Sequence, residues 1–317
     1  MYLVAGLILL SGGADYLIRG AIALANRFRI SPLVIGLTIV ALGTSLPELV
    51  VCVRAALAGA SGIAVGNIVG SNIANILFII GAGALICPIS ANRNHFMRDG
   101  AILLAATAIF VVFAFSGTFG RIPGTIMLSC LFAFLVFSYL EGRKHGTADL
   151  SLIKTDETDE KVATPLTRSG TWVIGGLFAV AVGAELLVNG ATTIARSLGV
   201  SEEVIGLTMV AIGTSLPELA TVIAAAAKKH TDVIVGNVMG SNIFNILGVM
   251  GATAIVTDVP VTSQILAFDI WVMLATTVLL IPFMLSESLI SRREGVICLA
   301  LYCSYIAVQY VGLEILV

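Results

Sequence analysis

Residues 36–82 read GLTIVALGTSLPELVVCVRAALAGASGIAVGNIVGSNIANILFIIGA, and residues 206–252 read GLTMVAIGTSLPELATVIAAAAKKHTDVIVGNVMGSNIFNILGVMGA. The second stretch repeats the first at a constant offset of 170 (206 − 36) without a gap, and 26 of the 47 aligned positions are identical. Each copy carries GTSLPE in its first half and GSNIxN in its second. A carboxylate, hydroxyls, amides, glycines and a proline thus stand twice inside otherwise apolar sequence, where every polar group is costly unless it finds a partner.

The rest of the chain says what that apolar setting is. Of 317 residues, 58% are hydrophobic and 11% charged, and the mean hydropathy is +1.05. A soluble domain has about 25% charged residues. The sequence therefore reads as an all-α polytopic membrane protein with its charge confined to loops. Barrel strands would alternate apolar and polar residues with period two, and these runs do not. A net charge of −2 and the lack of a basic patch point away from nucleic acid. Cys52, Cys87, Cys130, Cys298 and Cys303 show no CxxC or His-paired spacing, so they read as small helix fillers rather than disulfides or metal ligands. His95, His145 and His230 fall in polar breaks. The chain starts in an apolar run that holds Asp15 and Arg19, which reads as a retained helix and not a cleaved signal.

A spanning helix needs about 20 apolar residues. Ten segments qualify: 1–24, 30–53, 61–86, 99–116, 121–141, 170–195, 202–227, 231–256, 265–285 and 294–316. The offset of 170 extends past the core stretch, pairing Ala14-Asp15 with Ala184-Glu185, Gly20 with Gly190, Ser31 with Ser201 and Asp99 with Asp269. The expected organisation is a first five-helix repeat over 1–141, a linker over 142–169 and a second five-helix repeat over 170–317. The linker mixes both charge signs and reads as a short mobile loop. With the N-terminus outside, 14 of the 17 basic residues fall on the inside, and only Arg54, Arg121 and Arg196 lie outside. That distribution places both termini outside and the linker in the cytoplasm. Because five is odd, the second repeat inserts upside down relative to the first, an inverted repeat of the kind secondary transporters use.

Glu48 and its mate Glu218 lie deep in the second and seventh segments, and inverted symmetry brings both toward the bilayer midplane. A lone carboxylate there costs about 2.5–3.5 kcal/mol or more, and two facing each other repel, so the pair should seek a cation. Pro47 and Pro217 each remove a backbone donor beside the Glu, and Gly43 and Gly213 add flexibility. The second and seventh helices should break near Gly43-Thr44-Ser45 and Gly213-Thr214-Ser215, freeing carbonyls that include those of Ala41 and Ala211. Thr44, Ser45, Thr214 and Ser215 offer hard hydroxyl oxygens. In the third and eighth segments, also expected to be broken, Ser71 and Asn75 share one helix face at i, i+4, and Ser241 and Asn245 do the same. Asn67 and Asn72 extend this polar face, and Gly66, Gly70, Gly236 and Gly240 permit close helix approach. Such oxygens suit Ca²⁺ and, by the same logic, Na⁺; with no His or Cys among them, zinc and copper fit poorly.

Those two stretches resemble the alpha-1 and alpha-2 repeats of the cation/Ca²⁺ exchanger superfamily, most closely its prokaryotic sodium/calcium exchanger branch. The resemblance implies a ten-helix antiporter of the prokaryotic cell inner membrane that exchanges Ca²⁺ for Na⁺ by alternating access. It also implies no enzyme activity and no cofactor. By motif, the ligands would be Glu48, Thr44, Ser45, the Ala41 carbonyl, Ser71 and Asn75, with Glu218, Thr214, Ser215, the Ala211 carbonyl, Ser241 and Asn245. Many relatives carry Asp at one of the positions held here by Asn75 and Asn245, so this chain brings two central negative charges in place of three.

The alternatives are coupling to H⁺ or K⁺, an intramembrane hydrolase using paired carboxylates, and a passive channel. Duplicated Pro, Ser and Asn around each Glu fit ion ligation better than hydrolysis, and a channel favours rings along a continuous pore. Asp15 and Arg19, at i, i+4, should pair with each other, with Glu185 and Asn189 at the matching places. Asp99 and Asp269 should start the fourth and ninth helices. Trp172 and Trp271 read as interface anchors. Helices one and six, long and rich in glycine, are the best candidates for a moving pair.

Overall fold

A computed structural model of the chain describes residues 2–28, 30–90, 92–149, 165–197, 211–285 and 289–311. The described residues are almost entirely helical: α1 Tyr2–Phe28, α2 Pro32–Thr44, α3 Leu46–Leu57, α4 Ser61–Ile86, α5 Arg93–Phe115, α6 Arg121–Asp149, α7 Leu166–Ser197, α8 Ala211–Thr214, α9 Leu216–Ala227, α10 Thr231–Val256, α11 over 265–285 and α12 Arg292–Val311. Seven of these are long and apolar enough to cross a membrane, or eight if the bent pair α2 and α3 counts as one span. The expected seventh segment holds α8 and α9, and its residues 202–210, like Ser201, lie outside the described residues.

One feature of the expected layout is corrected. The third and eighth helices are not broken. α4 and α10 run continuously, each interrupted only by a wider π-helical stretch, Asn75–Ile79 in α4 and Phe244–Val249 in α10. Neither carries a proline, so nothing removes a backbone donor, and one extra residue per turn is absorbed within the helix. Helix also enters both ends of the expected linker: α6 runs on to Asp149 and α7 starts at Leu166. No proline occurs between Pro123 and Pro165, so the backbone ladder continues past the apolar segment. Residues 150–164 lie outside the described residues.

The expected break between α2 and α3 is present, a bend of 41°. It falls at Ser45 (φ −84, ψ 2), with Pro47 in the first turn of α3. Ser215 (φ −89, ψ 3) separates α8 from α9 in the same way, with Pro217 following. The glycine beside each break serves close packing. A Cβ on Gly43 would stand 2.4 Å from the Leu177 side chain, and one on Gly213 would stand 2.6 Å from that of Val188. α7 thus lies over both breaks.

α4 and α10 form the centre: 78% and 94% of their most apolar windows are buried, against 22% for α6 and 28% for α7. α2 packs on α10 backbone to backbone, since a Cβ on Gly236 would meet the Leu33 carbonyl at 2.4 Å and one on Gly240 the Leu37 carbonyl at 2.5 Å. α1 and α7 pair along their length. Glycines recur every seventh residue on both, at 6, 13 and 20 and at 176, 183 and 190. A Cβ on Gly6 would meet Gly183 O at 2.8 Å, and one on Gly13 would meet Gly176 O at 3.0 Å. Rising numbers on α1 meet falling numbers on α7, so the two helices run antiparallel.

Short antiparallel strands tie loops of one half to loops of the other. Ile89–Ser90 (β1) pairs with Leu289–Ile290 (β4), Ile89 opposite Ile290. Thr118–Phe119 (β2) pairs with Val259–Pro260 (β3), Phe119 opposite Val259.

Candidate functional site

The two helix breaks place the two carboxylates. Glu48 is the third residue of α3 and Glu218 the third of α9, each in the first turn after its break. The N-terminal end of a helix carries partial positive charge, so both sit where a carboxylate is best supported by backbone. Both are fully buried. Neither oxygen of Glu48 has a hydrogen-bond partner within the protein. Glu218 Oε1 accepts from Ser45 Oγ at 3.4 Å, while Oε2 has none.

The other expected side chains converge on the same place. Thr44, Ser45, Ser71, Asn75, Thr214, Ser215, Ser241 and Asn245 are all buried. Their bonds cross between the two halves of the chain. Thr44 Oγ1 lies 3.4 Å from Ser241 Oγ, and Ser215 Oγ donates to Ser71 Oγ at 3.4 Å. The π-helical stretches bring in the amides, since Asn75 opens the one in α4 and Asn245 lies in the one in α10. Asn75 Nδ2 donates to Asn242 Oδ1 at 3.0 Å, leaving Asn75 Oδ1 without a partner. Both polar atoms of the Asn245 amide also lack one.

The Ala41 carbonyl departs from expectation. It is not freed by the break, since it accepts from Ser45 N at 3.0 Å and from Thr44 Oγ1 at 3.3 Å. The reason is register: Pro47 removes the donor that would serve Gly43, four residues back, and leaves Ala41 its own. Ala211 opens α8 at the matching place.

Three site residues were missing from the sequence-based ligand set. Asn67 Oδ1 accepts from Thr214 Oγ1 at 3.1 Å, and Asn237 Oδ1 accepts from Thr44 Oγ1 at 3.4 Å. Each Asn is itself held, Asn67 by donating to Cys52 Sγ at 3.3 Å and Asn237 by donating to Thr221 Oγ1 at 2.9 Å. Asn242 is the partner of Asn75. The signal was present in the duplicated Gly-Asn of Gly66-Asn67 and Gly236-Asn237. Cys52, read as a filler, also donates to the Ala64 carbonyl at 3.4 Å, and all five cysteines are free thiols.

The remaining membrane charges lie apart from this cluster. Asp15 pairs with Arg19 at 2.7 Å, as its spacing implied, and also with Lys228 at the end of α9. Asp99 does not start its helix, because α5 begins at Arg93 behind an Asn92 cap. Asp99 is held by Arg98 through two bonds of 2.7 and 3.0 Å. Asp269 ends a π-helical stretch and accepts from Tyr305 at 3.1 Å and from Gln309.

Among the described residues, no group of three or more His, Cys, Asp or Glu could hold a metal ion. The cluster instead offers two carboxylates surrounded by neutral oxygens. An unpartnered buried polar atom costs about 1–3 kcal/mol, and more if charged. Such a cluster is poised for a hard cation that replaces hydration water with protein oxygens.

Comparison with known proteins agrees with this chemistry. The family described as sodium/calcium exchanger protein matches residues 1–140 and 169–311. The sodium/calcium exchanger MaX1 of Methanosarcina acetivorans is 31% identical over 342 aligned positions, covering 98% of each chain. The inner membrane protein YrbG of Escherichia coli is 35% identical, covering 87% of this chain and 86% of its own. Among solved structures, the sodium-calcium exchanger NCX_Mj, soaked with Na⁺ and Ca²⁺, superposes with a TM-score of 0.83 at 34% identity and 96% coverage of both chains. The match spans both duplicated stretches and nearly all the helices between them, so this integral membrane protein belongs to the sodium/calcium exchanger family of antiporters.

Proposed function

We propose that the chain exchanges Ca²⁺ for Na⁺ across the cell inner membrane by alternating access, through one central site built from Glu48 and Glu218. Thr44, Ser45, Ser71 and Asn75, with Thr214, Ser215, Ser241 and Asn245, supply the neutral oxygens, together with the Ala41 and Ala211 carbonyls. The observation that carries this reading is the pair of buried carboxylates with unpartnered oxygens, each in the first turn after a helix break. In this reading a bound cation offsets their repulsion and burial. Ser45 N and Thr44 Oγ1 engage both lone pairs of Ala41 O, so it joins the ligands only after Thr44 turns away.

The proposed architecture is two inverted five-helix repeats, 1–141 and 170–317, with a cytoplasmic linker and both termini outside. Two observations support it. The antiparallel contact of α1 with α7 is what inversion requires of repeat-related helices. Both strand pairs also join loops that this topology puts on one side of the membrane: β1 with β4 at the inner face, β2 with β3 at the outer.

The coupling ion is tested with purified protein in liposomes, by radiolabelled Ca²⁺ uptake under imposed Na⁺, K⁺ or H⁺ gradients. Uptake driven by the outward Na⁺ gradient alone is expected. Equal uptake under an H⁺ or K⁺ gradient with no Na⁺ present would instead assign the coupling to that ion.

A further inference from the structure

The lipid-facing side of the α1–α7 pair takes no part in the central site. There, between the two helices, lies a cavity of about 300 Å³ lined by Ile8, Gly12, Tyr16, Trp172, Gly175 and Ala179. That volume is at the lower end of those that hold small ligands. It opens on the surface the chain turns to the membrane, where Ile8 is 66% exposed. Gly12 and Gly175 differ from the glycines of the helix seam, since a methyl group on either would meet no atom within 4 Å. The space beside them is open, and its walls are apolar or aromatic.

One end of this groove is cationic. Arg168 lies over the Trp172 ring with Cζ 4.7 Å from its centroid, and Tyr16 lies 6.5 Å from the same ring. Arg168 is seven residues before Gly175, and Arg19 is seven residues after Gly12. Seven residues are close to two helical turns, so each arginine shares a helix face with its glycine, about 10 Å along the axis. Because the helices are antiparallel, both arginines reach the same end. Among the described residues, Arg19 and Lys228 share the carboxylate of Asp15, so with Arg168 these four groups carry a net charge of +2 (three cations and one anion).

We propose that this groove binds one acyl chain of an anionic phospholipid, with the lipid phosphate held between Arg19 and Arg168. The apolar walls take the chain, Tyr16 and Trp172 sit at headgroup depth as interfacial aromatics do, and the excess positive charge selects the headgroup. The inference does not depend on which ions the protein exchanges.

The chain has two tryptophans, so Trp271→Phe leaves Trp172 as the sole reporter at the groove. In liposomes of phosphatidylcholine, quenching of Trp172 is compared for brominated-chain phosphatidylglycerol and brominated-chain phosphatidylcholine at equal mole fraction. The expected result is a preference of roughly fivefold or more for phosphatidylglycerol, since a basic residue near an anionic headgroup contributes about that factor. Arg168→Gln should abolish most of the preference, and Gly12→Leu with Gly175→Leu, which fill open space, should remove the quenching by either lipid. Comparing the two lipids within each variant cancels any change in intrinsic fluorescence. Equal quenching by the two lipids in the parent protein, a preference that survives these substitutions, or protection of Trp172 from both lipids by a second copy of the chain would overturn the proposal.

Discussion

Thr214 donates its hydroxyl to Asn67 Oδ1 across 3.1 Å, and the repeat-related Thr44 donates to Asn237 Oδ1 across 3.4 Å. Each half of the chain thus orients a threonine of the other. If these bonds hold the hydroxyls in ligating geometry, Thr214→Val and Asn67→Ala should each raise the Ca²⁺ concentration for half-maximal uptake by a few-fold. The double variant should cost less than the sum, with a coupling of about 0.5–1.5 kcal/mol, typical of one buried hydrogen bond. A double-mutant cycle on uptake kinetics measures it, and strict additivity would show that the contact is incidental.

Asn75 and Asn245 set the charge of the site at two carboxylates. Asn245 lies in a π-helical stretch with neither amide atom bonded within the protein. Asn245→Asp places a third carboxylate there without a change of shape. Because ligand charge count tunes Ca²⁺ affinity, the variant should bind Ca²⁺ roughly tenfold more tightly. Calorimetric titration of the two proteins in detergent checks this, and unchanged or weaker binding would place Asn245 outside the ligand set.

The glycine seam makes a different kind of prediction. A side chain on Gly13 would place its Cβ 2.8 Å from the backbone nitrogen of Val180 and from the Ala179 methyl. Backbone cannot turn aside as a flexible side chain can, so Gly13→Val should destabilise the protein by about 1–3 kcal/mol. Gly12→Val, one residue away in open space, should leave the thermal midpoint nearly unchanged. Equal midpoints for the two variants would contradict the packing described for α1 and α7.

The membrane sidedness of the β1 and β2 loops is tested by labelling. In a protein stripped of its five native cysteines, Asn94→Cys near β1 and Ser116→Cys near β2 should lie on opposite sides of the membrane. A membrane-impermeant maleimide added to intact cells should modify the cysteine at 116 and reach the one at 94 only after permeabilisation. Labelling of both from one side would rule the topology out.

Much of this was legible in the sequence because duplication repeats its own evidence. Glu48 and Glu218, the prolines beside them and the serines and threonines before them recur at one spacing, and the structure gathers them between the two halves. The break at Ser45 was readable from Pro47, since a missing donor has a local consequence. Three things were not legible, two of them because they depend on a partner distant in the chain. Gly43 looked like a hinge, but the Leu177 side chain fills the place of its Cβ. Asn67 looked like part of a polar face, but it and its repeat mate Asn237 orient threonines of the opposite half. The π-helical stretches that carry Asn75 and Asn245 have no proline to announce them, so helices expected to break run through. Asp99 was misplaced for a related reason: the Asn92 cap starts α5 six residues earlier than the apolar run suggests.

The central claim is that Glu48 and Glu218 together bind the transported cation. It is tested most directly by Na⁺-gradient-driven uptake of radiolabelled Ca²⁺ into proteoliposomes holding the parent protein, Glu48→Gln or Glu218→Gln, with equal incorporation verified. Each variant removes one of the two charges while keeping shape, and uptake in both should fall by at least 100-fold, about 2.7 kcal/mol at 1.36 kcal/mol per factor of ten. Uptake at the parent rate in either variant would contradict the account.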